Sequence, residues 1–381
     1  MTTSLQDHLR EAMRLTLVGR LDEATRAVQL AMSAAAAEPG PAPGAEPTPP
    51  RTEAAAWRAD AAPRVLDGLH YGAAAAAPPA PTGEGSFNEA MYRDGPRQGR
   101  YKLFVPPGHE GRLLPLVVML HGCAQDADDF AAGTAMNRRA CEQGFFVLYP
   151  EQSRQANAAR CWNWFKPTQR QRGAGEPALI AGMTQAVMQR HGVDARRVYI
   201  AGFAAGGAMA AIVAAAYPDV FAAVGVHSGL PAEAAEALVD AVVVSGAPVR
   251  RPVKAPVVEA VPPRLVPTIV FHGDLDHVVP PSHGERVVAV ALLQGQPAAE
   301  DEAAPPAGPQ TVEHGVSARG RPYTRTLFMD AAGATLAEQW LVKGAGHGWS
   351  GGNADASYTD PSGPDASLEM LRFFAEHPRP A

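Results

Sequence analysis

From residue 101 to residue 347 the chain repeats one pattern: a short, continuously apolar run, a helical or turn-forming stretch, then another apolar run. The runs are YKLFV (101–105), LVVML (116–120), FFVLYP (145–150), RVYIAG (197–202), AAVGVHSG (222–229), PTIVFHGD (267–274) and EQWLVKGAGH (338–347). A strand with one face in water alternates apolar and polar residues, whereas a run apolar at nearly every position must be covered on both faces. TAMNRRACEQG and ALIAGMTQAVMQRHG, which precede two of the runs, have helical composition. The alternation predicts an α/β fold: a mostly parallel sheet with helices on both faces. The Pro-rich segments 245–266 and 295–322 read as surface insertions between these elements.

Ahead of this region the pattern differs. Leu5, Leu9, Met13 and Leu17 recur at helical spacing, Gly19 interrupts, and Leu21, Ala24, Val28 and Met32 continue the spacing. Residues 1–36 therefore read as a small helical hairpin, resembling one tetratricopeptide-like unit. One such unit cannot bury its own apolar face, so it is expected to dock on the main domain, to self-associate or to dock on a partner. Residues 37–85, with EPGPAPGAEPTPP and GAAAAAPPAPTG, have the composition of a semi-extended linker, and the main domain is expected to span 86–381.

Charge and composition exclude several classes. With 33 basic and 39 acidic residues the formal net charge is −6, which gives no global footprint for nucleic acid or an anionic membrane. No stretch approaches the ~20 apolar residues of a membrane span. Asp7, Arg10, Glu11 and Arg14 stand where a signal peptide needs its apolar region, so a cytoplasmic location is expected. Cys123, Cys141 and Cys161 are too few for a disulfide framework and lack metal spacing; reduced thiols are the expectation, and no metal or cofactor is implied.

The stretch YIAGFAAGGAMA (199–210) passes from a strand-like run through Gly202 and Gly206 into a helix-like run ending before Pro218. That is the spacing of a nucleophile elbow, G-x-S-x-G, in which a sharp turn exposes a serine and the flanking positions must be very small. Here Ala204 occupies the serine position. A literal G-x-S-x-G at Gly348, Ser350 and Gly352 has neither a strand ending at the turn nor a helix after it, and is rejected. Three further features sit at strand ends. His121-Gly122-Cys123 follows an early strand, where a loop supplies one backbone N–H to an oxyanion hole; the residue after the nucleophile supplies the other, so the expected donors are Cys123 and Ala205. Asp274 and Asp276 follow a later strand; either is an orienting acid, or merely a helix cap or turn residue. His347 lies in a Gly-rich loop after the last strong run. Nucleophile position, acid and histidine thus occur in the α/β-hydrolase order, with Asp276 72 residues after Ala204 and His347 71 residues after Asp276.

The segments LHGCAQDADDFAAGTAMNRRACEQGFFVLYPEQ, CWNWF, AGFAAGGAM, FHGDLDHVV and GAGHGWSGG…YTDPSGPDAS resemble the polyhydroxybutyrate depolymerase-like esterases. These are α/β-hydrolases akin to feruloyl and acetylxylan esterases. The resemblance runs over roughly residues 86–378 and departs from the family's G-x-S-A-G-G pattern only at Ala204. It implies a two-step acyl transfer with Asp276, in preference to Asp274, as acid and His347 as base. The implied substrates are hydroxyalkanoate oligomers or polymers, or a granule surface, and other small esters; a feruloyl or acetyl ester is the alternative. Trp162 and Trp164 either flank the ester groove or are simply core and rim. Cys123 and Cys161 both fall in these motifs, and a disulfide between them is the alternative to free thiols. With alanine at 204 there is no hydroxyl to acylate. The chain is then expected to be nearly inert, either through a serine-to-alanine replacement or as a natural ester-binding pseudoenzyme.

Overall fold

The computed structural model describes residues 83–95, 97–231, 264–294 and 310–380, all within the unit Ala61–Ala381. The hairpin 1–36, nearly all of the linker 37–85, and most of the Pro-rich segments lie outside the described residues.

The described chain runs β1 (Ser86–Asp94), β2 (Arg97–Val105), β3 (Leu114–Leu120), α1 (Ala127–Thr134), α2 (Met136–Gln143), β4 (Phe146–Pro150), α3 (Gly175–Arg190), β5 (Val193–Phe203) and α4 (Ala205–Ala216). It continues with β6 (Ala223–His227), β7 (Thr268–Gly273), α5 (Ser282–Gln294), β8 (Gln310–Val316), β9 (Pro322–Met329) and β10 (Thr335–Val342). The short strands β11 (Trp349–Ser350) and β12 (Thr359–Asp360) and the helix α6 (Ala366–Glu376) complete it. Ten strands form one sheet in the order β1-β2-β4-β3-β5-β6-β7-β10-β9-β8. The six central strands, β4 to β10, pair in parallel, and antiparallel strands extend the sheet at both edges.

All seven apolar runs overlap strands of the sheet, and the core explains their continuity. Along β3, Leu116, Val118 and Leu120 face one cluster with Ile180, Met209 and Val213, while Val117 and Met119 face another with Phe130, Phe373 and Phe374. Both sheet faces are covered, by α3, α4 and α5 on one side and α1, α2 and α6 on the other. The sequence expectation of an α/β-hydrolase sheet is met at its centre. The segment 295–322, expected to be a surface insertion, instead contributes β8 to the sheet, and the edge strand β1 mixes exposed and half-buried residues, since an edge needs only one covered face.

Two features place the site. Ligands of open α/β sheets bind beyond the carboxyl ends of the strands, where the strand order reverses. Here that point lies at β3, whose neighbours β4 and β5 both follow it in the chain. The loop after β3 and the turn after β5 therefore open side by side, and the loops after the parallel neighbours β7 and β10 lie further along the same edge.

Candidate active site

Beyond Phe203 the chain turns into α4 in a single residue. Ala204 has φ 52° and ψ −116°, a left-handed backbone that a residue with a Cβ adopts only under strain. Two hydrogen bonds hold it: its N–H donates to the His227 carbonyl (2.9 Å) and its carbonyl accepts from Ala208 N–H (3.0 Å). The glycine spacing follows from close backbone crossings. A Cβ on Gly202 would lie 2.3 Å from the Gly206 carbonyl oxygen, and one on Gly206 would lie 2.1 Å from that of Leu120. The strand–turn–helix form expected of the elbow is thus present, with an alanine methyl at its tip. Ala205 opens α4, so its N–H is among the first-turn amides that have no intrahelical acceptor.

His347 Nδ1 lies 2.7 Å from Asp276 Oδ2. Because an ionised carboxylate only accepts, the Nδ1 proton is assigned to the imidazole, and Nε2 is left as its proton-accepting atom. The other oxygen, Asp276 Oδ1, accepts from the backbone N–H groups of Val278 (3.0 Å) and Val279 (2.8 Å). Burial pushes this carboxyl up, but the imidazoles of His272 and His347 and the Val279 amide outweigh it and hold the pKa well below the usual carboxylate range. Asp274 serves the backbone instead. Its Oδ1 accepts from Gly344 N–H (2.6 Å), joining the loops that carry acid and histidine. The imidazole of His347 also packs on the Phe203 ring, centroids 4.8 Å apart, which sets it beside the residue preceding Ala204.

The loop after β3 is fixed from several sides. His121 Nδ1–H donates to the Gly122 carbonyl (2.7 Å) and Nε2 accepts from Gln152 N–H (3.1 Å), so the ring is neutral; burial pushes its pKa down to about 4. Gly122 N–H donates to Gln125 Oε1 (3.0 Å) and Ala124 N–H to the Ala159 carbonyl (2.8 Å). Between them, the Cys123 N–H has no acceptor among the described residues. Cys123 and Cys161 form a disulfide, which overturns the expectation of three reduced thiols; their Cα atoms are 4.3 Å apart, and Cys141 remains free.

Trp162 does not flank a groove. It is 1% exposed, and its Nε1–H donates to the His121 carbonyl (3.1 Å), bracing the loop after β3 from the core. Trp164 is also buried, edge-on to Phe165. The buried carboxylate of Glu176 anchors this segment, accepting from Asn163 N–H (2.7 Å), Asn163 Nδ2 (2.5 Å) and Gln152 Nε2 (2.6 Å). Glu176, Gln152, His227 and Phe203 were not singled out from sequence, since each gains its role from partners distant in the chain. His227 stacks on Trp349 (5.0 Å), and its Nε2 accepts from Ser350 N–H (2.9 Å). Ser350 is buried and donates to the Pro364 carbonyl, in keeping with its rejection as an elbow serine. Among the described residues no group of three or more His, Cys, Asp or Glu is placed to hold a metal, and no helix is long and apolar enough to cross a membrane.

Residues 99–301 match the family model described as esterase PHB depolymerase. The chain is 29% identical over 275 residues to poly(3-hydroxyalkanoate) depolymerase C of Paucimonas lemoignei, an alignment covering 67% of this chain and 60% of that protein. It is 34% identical over 140 residues to feruloyl esterase B of Thermothelomyces thermophilus, covering 36% of this chain and 47% of the other. The chain thus spans about half to three-fifths of the length of these curated relatives. Among solved structures, an acetyl xylan esterase from Aspergillus awamori superposes with a TM-score of 0.52 at 17% identity, covering 76% of this chain and 99% of that one, a likeness of fold.

Proposed function

Because the chain belongs to the esterase PHB depolymerase family, we propose that its site is that of a serine carboxylic ester hydrolase with alanine in the nucleophile's place. The observation that carries this reading is the Asp276–His347 hydrogen bond, set by Phe203 beside the strained turn at Ala204. With serine at 204, the hydroxyl oxygen attacks the ester carbonyl and its proton passes to His347 Nε2. The tetrahedral oxyanion is met by the N–H groups of Cys123 and Ala205, and Asp276 stabilises the imidazolium. Collapse releases the alcohol, which takes the proton from His347. Water, deprotonated by the same histidine, then hydrolyses the acyl-enzyme to the free acid.

As the chain stands, with a methyl at the tip of the elbow, the first step has no nucleophile. We read Ala204 as an inactivating serine-to-alanine replacement; the Asp276–His347 hydrogen bond and the close backbone crossings at Gly202 and Gly206 support that reading. The competing reading, a natural ester-binding protein, is favoured by Ala204 itself. Hydroxyalkanoate oligomers or polymers are the preferred substrates, by likeness to the depolymerase, and feruloyl or acetyl esters of polysaccharide the alternative. The amphipathic spacing of residues 1–36 supports docking of the chain on a polymer granule or on itself. The disulfide supports a working environment that is oxidising rather than the cytoplasm expected from the N-terminal charges.

The test is Ala204→Ser, assayed on p-nitrophenyl butyrate and compared on hydroxybutyrate oligomers and methyl ferulate. Hydrolysis that disappears on adding His347→Ala supports the reading, and a well-folded but inactive serine variant overturns it.

A further inference from the structure

Tyr358 combines two properties that packing does not explain. It is 49% exposed, and its backbone sits at φ 52°, a region that a bulky residue occupies only when its surroundings compel it. The compulsion is visible. Its carbonyl accepts from Trp349 N–H (2.7 Å), two residues after His347, and the next residue enters β12, which pairs with β11. On its other side, Ser357 N–H donates to Asp129 Oδ1 (3.0 Å) and the Ser357 hydroxyl bonds the second Asp129 oxygen. Gln125 Nε2 donates to Asp129 Oδ2 (2.8 Å) and to Ser357 Oγ (3.2 Å). The same Gln125 accepts the Gly122 N–H, one residue before the oxyanion donor.

The strap bearing Tyr358 and the oxyanion loop are therefore tied by one polar network. The tyrosine ring lies 6.3 Å from the Phe203 ring, which also touches His347. A strained, half-open aromatic side chain held beside a reactive position is a contact surface awaiting a ligand. We infer that Tyr358 is a specificity-determining residue of the ester site: its open face covers the part of the substrate that extends beyond the scissile carbonyl. An acetyl group is too short to profit from that face, whereas a longer acyl chain loses water-exposed apolar area against it. The inference rests on the proposed ester hydrolase site.

Two measurements test it. In the Ala204→Ser background, Tyr358→Ala is expected to lower the ratio of kcat/KM for p-nitrophenyl hexanoate over p-nitrophenyl acetate about tenfold, through KM, while Tyr358→Phe restores it. Tyr358→Gly removes the ring and relieves the backbone, so it should fold normally and show the same lowered ratio. An unchanged ratio, or a loss shared equally by both esters through kcat, overturns the assignment. In the unaltered chain, calorimetric binding of p-nitrophenyl hexanoate is expected to weaken about tenfold on Tyr358→Ala, and equal affinity overturns the assignment. If Ala204→Ser hydrolyses neither ester while the two affinities differ, the catalytic reading falls and the role of Tyr358 stands.

Discussion

The Nδ1 atom of His347 is 2.7 Å from Oδ2 of Asp276, and the two residues reach one another from the ends of β10 and β7, parallel neighbours in the sheet. Because the strands pair in register, residues 71 apart in sequence are held in one hydrogen bond at one edge. This pair, with the turn at Ala204, governs the first expectation. On the proposed assignment of Asp276 as acid, His347 as base and the Cys123 and Ala205 amides as oxyanion donors, replacing Ala204 by serine should raise esterase turnover on the order of 10⁴-fold or more. Steady-state assay of Ala204→Ser and of the same chain carrying His347→Ala checks this, and the second change should return the rate to the level of the unaltered chain.

The elbow tolerates no added Cβ at its second glycine. In Gly206→Ala the new methyl would meet the Leu120 and His121 carbonyl oxygens at 2.1 and 2.5 Å, both backbone atoms that cannot swing aside. A destabilisation of about 3 kcal/mol or more is expected from denaturant titration. Ala204→Gly should by comparison be nearly neutral, because the positive φ that strains alanine costs glycine little.

Asp276 links stability to pH. Its folded pKa lies below the unfolded value of about 3.9, so its contribution is fully present above about pH 4 and is lost as pH falls through the folded pKa. Asp276→Asn removes that contribution. The stability gap between parent and variant should be widest near neutrality and shrink in acid, as read from urea midpoints at pH 7 and pH 3. A gap independent of pH would count against an ionised, hydrogen-bonded Asp276.

The Cys123–Cys161 bridge closes a loop across 38 positions, which corresponds to about 4 kcal/mol of stabilisation in the chain-entropy account. Titration of the denatured, unreduced protein should therefore find one thiol, that of Cys141. Cys161→Ser should lower the denaturant midpoint and, in the Ala204→Ser background, lower kcat more than it raises KM, because the proposed oxyanion donor is the Cys123 amide. A loss confined to stability would separate the bridge from catalysis.

Much of this was legible in one dimension because the chemistry sits at the ends of segments that announce themselves. A parallel strand buried on both faces must be apolar throughout, so β3, β5, β7 and β10 are visible as runs, and Cys123, Ala204, Asp276 and His347 follow within a few residues of their ends. The edge strands β1 and β8, and β9 beside β8, carry no such signature. β1 alternates and β8 follows a Pro-rich stretch, because an edge need satisfy only one covered face.

The sequence by itself determined the α/β-hydrolase sheet, the strand–turn–helix around Ala204, and the order in which the candidate acid and base occur. The family resemblance favours Asp276 over Asp274, and only the tertiary structure shows their contacts: Asp276 meets His347, whereas Asp274 accepts from Gly344 N–H. Tertiary structure also decided that Trp162 supports the loop after β3 from within the core, and that Cys123 is bridged rather than free. Tyr358 and its strap belong to the same group, for Gln125 and Ser357 are 232 residues apart and no local pattern records their meeting. The physical reason is common to all of these: periodicity along a chain reports which faces are covered, whereas a side chain's partner is set by which strand ends the sheet brings together.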